Sequence, residues 1–104
     1  MVNSNQKGKR GEREVASLIR EYGWEARRGQ QYSGGGDSPD VVSELPLHIE
    51  VKRVEKLNLY DALSQAKDDT DGKPPVVFHK RNNEKWMVIM DAEDFLKLFY
   101  AKEG

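Results

Sequence analysis

The stretch LHIEVKR, residues 47–53, decides the fold, because apolar and polar side chains alternate along it. Alternation with period two is typical of a β-strand that has one face in the core. Its apolar members would point into the interior, and Glu50 and Lys52 would leave together on the opposite face. His48 shares that face, and we expect it to be an exposed histidine at the site edge. The stretch therefore predicts a carboxylate and an ammonium group side by side.

A second acidic motif, Pro39-Asp40, precedes this strand and is separated from Glu50 by nine residues. Proline biases the residue before it towards extended geometry, so we expect a strand that starts at Asp40 and runs over residues 40–43. Pro46 blocks strand continuation and predicts a turn, after which the chain returns antiparallel. This path would bring Asp40 beside Glu50, although a Pro-Asp turn and a Glu-x-Lys pair each also occur often by chance.

Two carboxylates and an ammonium group at one point have a definite chemical use. Carboxylate oxygens are ligands that Mg²⁺ takes in proteins. A cation and a nearby lysine are the groups needed to activate water against a phosphodiester and to stabilise the developing charge. The two motifs therefore favour a site for phosphodiester hydrolysis, provided that the fold brings their side chains together.

Glu12 adds a third acid. It lies near the middle of the apolar stripe of a helix predicted over residues 9–22, whose apolar members are Val15, Ala16, Leu18, Ile19 and Tyr22. A carboxylate on an apolar face breaks the local pattern, and such breaks concentrate at functional sites. The structural alternative is that Glu12 lies in the first helical turn, where the helix dipole favours acids. Together with Asp40 and Glu50, it favours a pocket of three acids.

The rest of the chain predicts an α/β sandwich on a mixed sheet, in one domain over residues 1–104. The predicted order is helix, three strands, helix, two strands, helix. Residues 1–8 are interpreted as a flexible lead, and residues 29–38, with three consecutive glycines, as a mobile loop. After the first helix the predicted elements are strands 24–28, 40–43 and 47–53, helix 59–69, and a hairpin of strands 76–79 and 86–90. Gly23 is the predicted stop of the first helix.

Apolar stripes also assign the buried faces of the two later helices. The helix over residues 59–69 is predicted to bury Leu59, Ala62, Leu63 and Ala66. Asp91 is predicted to cap a last helix whose stripe is Phe95, Leu96 and Phe99.

Composition excludes several classes of protein. The chain has no cysteine, which excludes disulfide scaffolds and thiolate metal sites. No run of 18 apolar residues occurs, so we expect no membrane span, and the polar, basic first ten residues do not form a signal peptide. We therefore expect a cytoplasmic protein of a bacterial, archaeal or phage-infected cell.

The net charge of −1 conceals alternating blocks of charge. Residues 1–31 carry seven basic and four acidic side chains, whereas residues 32–50 carry four acids and no lysine or arginine. Such blocks are equally compatible with ordinary solvated faces and with basic walls that contact phosphates around an acidic pocket.

The motifs resemble a known family. Residues 9–15 (KRGEREV) at the start of a helix, Pro39-Asp40-Val41-Val42, and Ile49-Glu50-Val51-Lys52 resemble the PD-(D/E)xK nuclease superfamily. Within it, their order and spacing are most similar to the archaeal-type Holliday-junction resolvases and their phage relatives. The resemblance covers roughly the first 55 residues well. It implies a restriction-endonuclease-like three-layer α/β sandwich with about five strands in a mixed central sheet.

The resemblance also implies roles for individual residues. Asp40 and Glu50 would bind Mg²⁺, for which Mn²⁺ would substitute, with help from the Val51 carbonyl. Lys52 would orient or activate the attacking water, and Glu12 would complete the metal site. The resemblance implies a homodimer that cuts a four-way DNA junction. The residues expected to contact DNA are Lys7, Lys9, Arg10, Arg13, Arg27, Arg28, Lys52, Arg53 and, on the second helix, Gln65.

Three alternatives remain open at the level of sequence. A VRR-NUC-type nuclease, which acts on other branched or duplex DNA, has the same core and a helix glutamine. A DNA-binding module would use the same basic face with inert acids. A structural domain of a larger complex is the third alternative.

Overall fold

The computed structural model describes residues 4–29 and 39–100, in which the helices and strands follow the predicted order. The elements are α1 (Ser4–Glu21), β1 (Ala26–Arg28), β2 (Val41–Ser43), β3 (His48–Lys52), α2 (Leu59–Asp69), β4 (Pro75–His79), β5 (Met87–Ile89) and α3 (Ala92–Leu98). Each predicted strand is present, but most are shorter than the sequence pattern indicated, since hydrogen bonding ends before the apolar pattern does. The predicted α/β fold class is confirmed.

The five strands form one mixed sheet in the order β1-β2-β3-β4-β5. Strand β3 pairs antiparallel with β2 and parallel with β4, and Glu50 lies opposite Val77 in that parallel pair. A parallel pair needs a long crossover connection, which α2 supplies. The antiparallel return from β2 to β3 predicted at Pro46 is confirmed, with Val41 opposite Ile49.

Helix α1 covers one face of the sheet and encloses the larger core. Val15 and Ile49 are fully buried there, and Trp86 packs against the cluster from its edge. The complete buried cluster is Val15, Ala16, Ile19, Val41, Ile49, Val51, Val76 and Phe78. This face therefore holds the apolar side of β3 that the alternation predicted.

Helix α2 covers the other face, to which Glu50 and Lys52 belong. Its buried residues Ala62, Leu63 and Ala66 pack on Val77 of β4. Asn58 caps the helix by accepting a hydrogen bond from the Asp61 amide. The prediction that Leu59 is buried was wrong, since it is 42% exposed in the first turn of α2.

The start of α1 also corrects the sequence prediction. The helix begins at Ser4 rather than at residue 9, so the proposed flexible lead is helical from that residue. Its polar first turns carry no apolar stripe and gave no periodic signal. Gly23 does end the helix, with φ of +103° and an amide that donates to the Arg20 carbonyl. Tyr22 lies beyond the helix and is exposed, so it was wrongly placed in the buried stripe.

The C-terminal part packs far less tightly than the rest. The β4–β5 hairpin forms as predicted, with Asn83 at a φ of +67° in its turn. In contrast, α3 has no buried residue, and the predicted stripe of Phe95, Leu96 and Phe99 faces solvent. Asp91 precedes α3 but makes no side-chain cap, because its carboxylate pairs with Lys67 at 2.9 Å.

Residues 30–38 of the predicted Gly-rich loop lie outside the described residues, as do residues 1–3 and 101–104. Among the described helices, none is long and apolar enough to cross a membrane.

Candidate active site

Backbone hydrogen bonds place Asp40 beside the middle of β3. The Asp40 amide donates to the Ile49 carbonyl at 2.9 Å, and Asp40 Oδ2 accepts from the Val51 amide at 2.8 Å. The residue is buried. These two bonds clamp the Pro-Asp motif onto the Glu-x-Lys strand, as the turn at Pro46 predicted.

Gly29 supports Asp40 from the other side, and sequence reasoning had assigned it to the mobile loop. Its amide donates to the Asp40 carbonyl at 2.8 Å, and the residue is buried. A Cβ atom at this position would lie 2.0 Å from the Pro39 carbonyl oxygen, so only glycine fits. The position is dictated by tertiary contact with Pro39, and the sequence around it carries no local signal for that contact.

Glu50 lies close to Asp40, and its side chain is 14% exposed. Burial, followed by the charges of Asp40 and Asp69 and a hydrogen bond with Asp40, raises the pKa of Glu50 to about 8. A hydrogen bond between two carboxyl groups requires that one of them carry a proton. Ionising both groups would place two negative charges side by side, and a bound cation would stabilise that doubly ionised state.

The structure places His48 differently from the sequence prediction. Its side chain is 5% exposed rather than solvated, and its Nε2 lies 2.6 Å from Glu50 Oε2. Burial lowers the pKa of His48. The alternation along β3 correctly put the imidazole on the Glu50 face, but it gave no information on what covers that face.

Lys52 lies on the same face as Glu50, two residues further along β3, and is partly buried. Its positive charge opposes the rise in the pKa of Glu50, which places the ammonium group within electrostatic reach of the acids. The three residues of the original motif are thus brought together.

Glu12 approaches the pair from α1. The helix comes close to β3 at Gly11, where a Cβ atom would lie 3.0 Å from the Cβ of Arg53. Glu12 Oε1 accepts a hydrogen bond from Arg28 Nε at 2.9 Å. Burial is the largest cause that raises the pKa of Glu12, and the nearby charge of Asp40 adds to it, whereas Arg28 opposes it. Glu12 therefore borders the acidic pair while it is held by an arginine.

Six of the basic residues predicted to contact DNA fall into two groups. Lys9, Arg10 and Arg13 are exposed and together line one surface cleft on α1 with Gln6. Three others pair with side chains of this chain: Lys7 with Glu55, Arg28 with Glu12, and Arg53 with Glu55. Arg53 also donates to Asn82 Oδ1 at 2.9 Å.

Two predicted DNA contacts lie elsewhere. Arg27 is exposed on the edge strand β1, and Gln65 is exposed on α2. No hydrogen bond among the described residues joins Gln65 to the Asp40–Glu50 pair. Its contact with a ligand water or phosphate stays a prediction.

The donor set fits a divalent cation through two carboxylates. Within residues 4–29 and 39–100, no three acidic or imidazole side chains are gathered tightly enough to hold a metal by themselves. However, Asp40 is buried, Glu50 beside it is partly buried, and the two repel each other when ionised, which is the arrangement that a hard cation stabilises. Water or a phosphate oxygen would supply the further ligands that Mg²⁺ ordinarily keeps.

Comparison with known proteins shows to which nuclease family the chain belongs. The sequence profile of the archaeal Holliday junction resolvase (Hjc) family matches residues 3–97. The chain belongs to this family. Its structure is similar to that of Hjc from Archaeoglobus fulgidus, a Holliday junction resolvase from an archaeal hyperthermophile, with a TM-score of 0.57 and 26% sequence identity. That match covers 80% of this chain and 76% of the other. Among curated protein sequences, none matches this chain significantly.

Family membership confirms the resemblance read from the two motifs and favours the resolvase branch over the VRR-NUC type. The protein is a structure-selective nuclease, an endonuclease of the Hjc type, and the family implies use of a divalent metal.

Proposed function

We propose that this protein is a Mg²⁺-dependent endonuclease that resolves four-way DNA junctions at the site built by Asp40, Glu50 and Lys52. The observation that carries the proposal is the clamp at Asp40, which holds its carboxylate against β3 beside Glu50. Those two carboxylates would hold the cation, with Glu12 and the Val51 carbonyl completing its shell.

The chain's own residues divide the work of hydrolysis. A divalent cation held by Asp40 and Glu50 would supply Lewis acidity to the reacting phosphodiester and would make water more acidic. Lys52 orients the attacking water and stabilises the negative charge that develops on the phosphorus oxygens. The Val51 amide keeps Asp40 in position through its hydrogen bond, and Arg28 does the same for Glu12. The attacked phosphorus loses its bond to the 3′ oxygen, which departs opposite the entering water.

DNA would be held mainly through its phosphates. Lys9, Arg10 and Arg13 are exposed on α1, the helix that also carries Glu12, so they could bind the backbone next to the scissile bond. Arg27 and Arg28 extend this basic surface to β1. Contacts of this kind are independent of base sequence and weaken steeply as the salt concentration rises.

Dimerisation is the second part of the proposal. A junction has paired strands to cut, and two sites in one assembly would reach both. The surface that suits a second copy consists of β5 and α3, where Met87, Leu96 and Phe99 are 62%, 64% and 71% exposed. Exposed apolar side chains in such a group favour a protein interface. We also place the protein in the cytoplasm of a bacterial, archaeal or phage-infected cell.

The proposal is tested with synthetic DNA of defined shape. A four-way junction, a flapped duplex and a plain duplex of the same sequences are incubated with the protein in Mg²⁺, Mn²⁺ or Ca²⁺. We expect cleavage of the junction in Mg²⁺ and Mn²⁺, at a rate at least ~10-fold above that for the plain duplex. Equal cleavage of all three substrates would contradict the junction specificity, and binding without any cleavage would favour a DNA-binding module.

A further inference from the structure

His48 is a buried polar residue to which neither the motifs nor the proposed mechanism gives a role. It is the first residue of β3, and its amide donates to the Pro74 carbonyl at 2.9 Å, which fixes its backbone. A cleft of about 220 Å³ beside it is bordered by Asp71 and Lys73 of the α2–β4 loop. The imidazole therefore lies between the loop and the acidic pair rather than in the apolar core.

The contact between His48 and Glu50 is short and well defined. Nε2 lies 2.6 Å from Oε2, and the two side chains are 5% and 14% exposed. When Glu50 is ionised, as it must be to bind a cation, its carboxylate oxygen can only accept, so the imidazole Nε2–H then donates. Residues i and i+2 of a strand share a face, so the backbone of β3 itself keeps the two side chains adjacent.

We infer that His48 is a positioning residue, whose Nε2–H holds the Glu50 carboxylate in the orientation in which it and Asp40 receive a divalent cation. The inference rests on the proposed function, because it takes Glu50 to be a metal ligand. Asp40 is fixed by the backbone of β3, whereas Glu50 has a longer side chain and needs a side-chain partner to be fixed equally well. His48 supplies that partner.

The energetic reason is preorganisation. A glutamate side chain that is free to rotate loses rotamer entropy when it binds a cation, and a partner that orders it beforehand reduces this cost. Hydrogen-bond partners behind metal-binding side chains typically change metal affinity by about 10- to 100-fold. A purely structural His48 would instead affect folding stability and leave metal affinity unchanged.

The test compares three variants of His48 by Mn²⁺ binding to the full chain without DNA, measured by calorimetry. His48→Gln places an amide N–H near the position of Nε2, His48→Asn places it near Nδ1, and His48→Leu removes the donor while filling the space. We expect His48→Gln to bind Mn²⁺ within about 3-fold of the wild type. His48→Asn and His48→Leu should bind at least ~10-fold more weakly.

Two controls separate this role from general effects. Leu63→Val removes a buried methylene group from α2 on the same face of the sheet and should lower the unfolding temperature without weakening Mn²⁺ binding. Glu50→Gln should abolish the binding measured here. Equal weakening by Leu63→Val would overturn the inference, as would wild-type affinity in His48→Leu or affinity in His48→Gln as weak as in His48→Leu.

The outcomes also distinguish this inference from the proposed function. If the wild type and Glu50→Gln both fail to bind Mn²⁺, the proposed metal site is wrong and the role of His48 fails with it. If Glu50→Gln loses binding and His48→Leu does not, only the role of His48 is overturned.

Discussion

The two ends of the sheet differ in which side chains they bury and which they expose. At the β1–β3 end, three acids are partly or fully buried, and each has a definite partner: Asp40 with the Val51 amide, Glu50 with His48, and Glu12 with Arg28. At the β5 end, apolar side chains of β5 and α3 lie in solvent, and α3 buries no residue at all. We refer to these as the acidic end and the apolar end.

This difference shows which contacts each end of the sheet depends on. Buried charge is costly unless it is paired or hydrogen-bonded, so the acidic end has been built around polar contacts that hold its carboxylates in place. Exposed apolar area contributes little to the stability of one chain. When a partner covers that area, its burial contributes favourable free energy to the complex. The acidic end therefore depends on contacts within the chain, and we propose that a second copy of the chain covers the apolar end.

The largest expected effect on stability comes from a substitution that disrupts the backbone of the acidic end. Gly29→Ala should destabilise the protein by about 3 kcal/mol, the cost of severe overpacking, because the new Cβ would overlap the Pro39 carbonyl. The free energy of unfolding is read from urea titration. Gly8→Ala is the matched control: its Cβ meets open space on α1, and it should stabilise the protein by about 0.5–1 kcal/mol. Equal stability of the two variants would show that Gly29 is not constrained.

The next largest effect is on self-association through the apolar end. Leu96→Glu should weaken self-association by about 2 kcal/mol, or roughly 30-fold, because a carboxylate would be buried at the interface. The folding stability of one chain should change by less than about 0.5 kcal/mol, since Leu96 is exposed. Sedimentation velocity over a range of concentrations measures the association.

Tyr22→Glu is the control for this variant, because Tyr22 is an exposed aromatic residue that lies just after α1. It should leave self-association unchanged. A wild type that stays monomeric at all concentrations, or Leu96→Glu with the association of the wild type, would contradict the role given to the apolar end.

The smallest effect per unit of the variable changed concerns pH at the acidic end without metal. The pKa of Glu50 is raised to about 8 in the folded chain, above its value of 4.5 in the unfolded chain. At Glu50 the folded state then binds more protons between these values, so the contribution of this group to stability is greatest at low pH and falls as pH rises from about 4.5 to about 8. One proton gives a slope of at most about 1.4 kcal/mol per pH unit, and the partial exposure of Glu50 reduces it.

Thermal unfolding in EDTA across this pH range measures the effect. Glu50→Gln cannot ionise and should flatten the pH dependence. The same pH dependence in the wild type and in Glu50→Gln would contradict the raised pKa.

The sequence predicted those parts of the molecule that follow from local patterns. The bounds of α2 were correct because Asn58 and Thr70 end an apolar stripe cleanly. The approach of Asp40 to Glu50 followed from the turn at Pro46 and from the antiparallel pairing of β2 with β3. These two features needed only neighbouring residues and short-range geometry.

Tertiary contacts account for what was missed. His48 lines a cleft together with residues of the α2–β4 loop, whose position no pattern on β3 reveals. The constraint at Gly29 comes from Pro39 across the sheet, and the pairing of Glu12 with Arg28 joins α1 to β1. The stripe on α3 was recognised, but its periodicity could not tell whether the same chain would cover it.

Single-turnover cleavage of a four-way junction in Mg²⁺ tests the central claim most directly. Asp40→Asn and Glu50→Gln keep the size of each side chain but remove its charge, and the control Asp91→Asn removes a carboxylate that pairs with Lys67 outside the acidic end. The account predicts that both site variants bind the junction but cut it at least ~1,000-fold more slowly, whereas Asp91→Asn cuts like the wild type. Cleavage at the wild-type rate by Asp40→Asn or Glu50→Gln would contradict it.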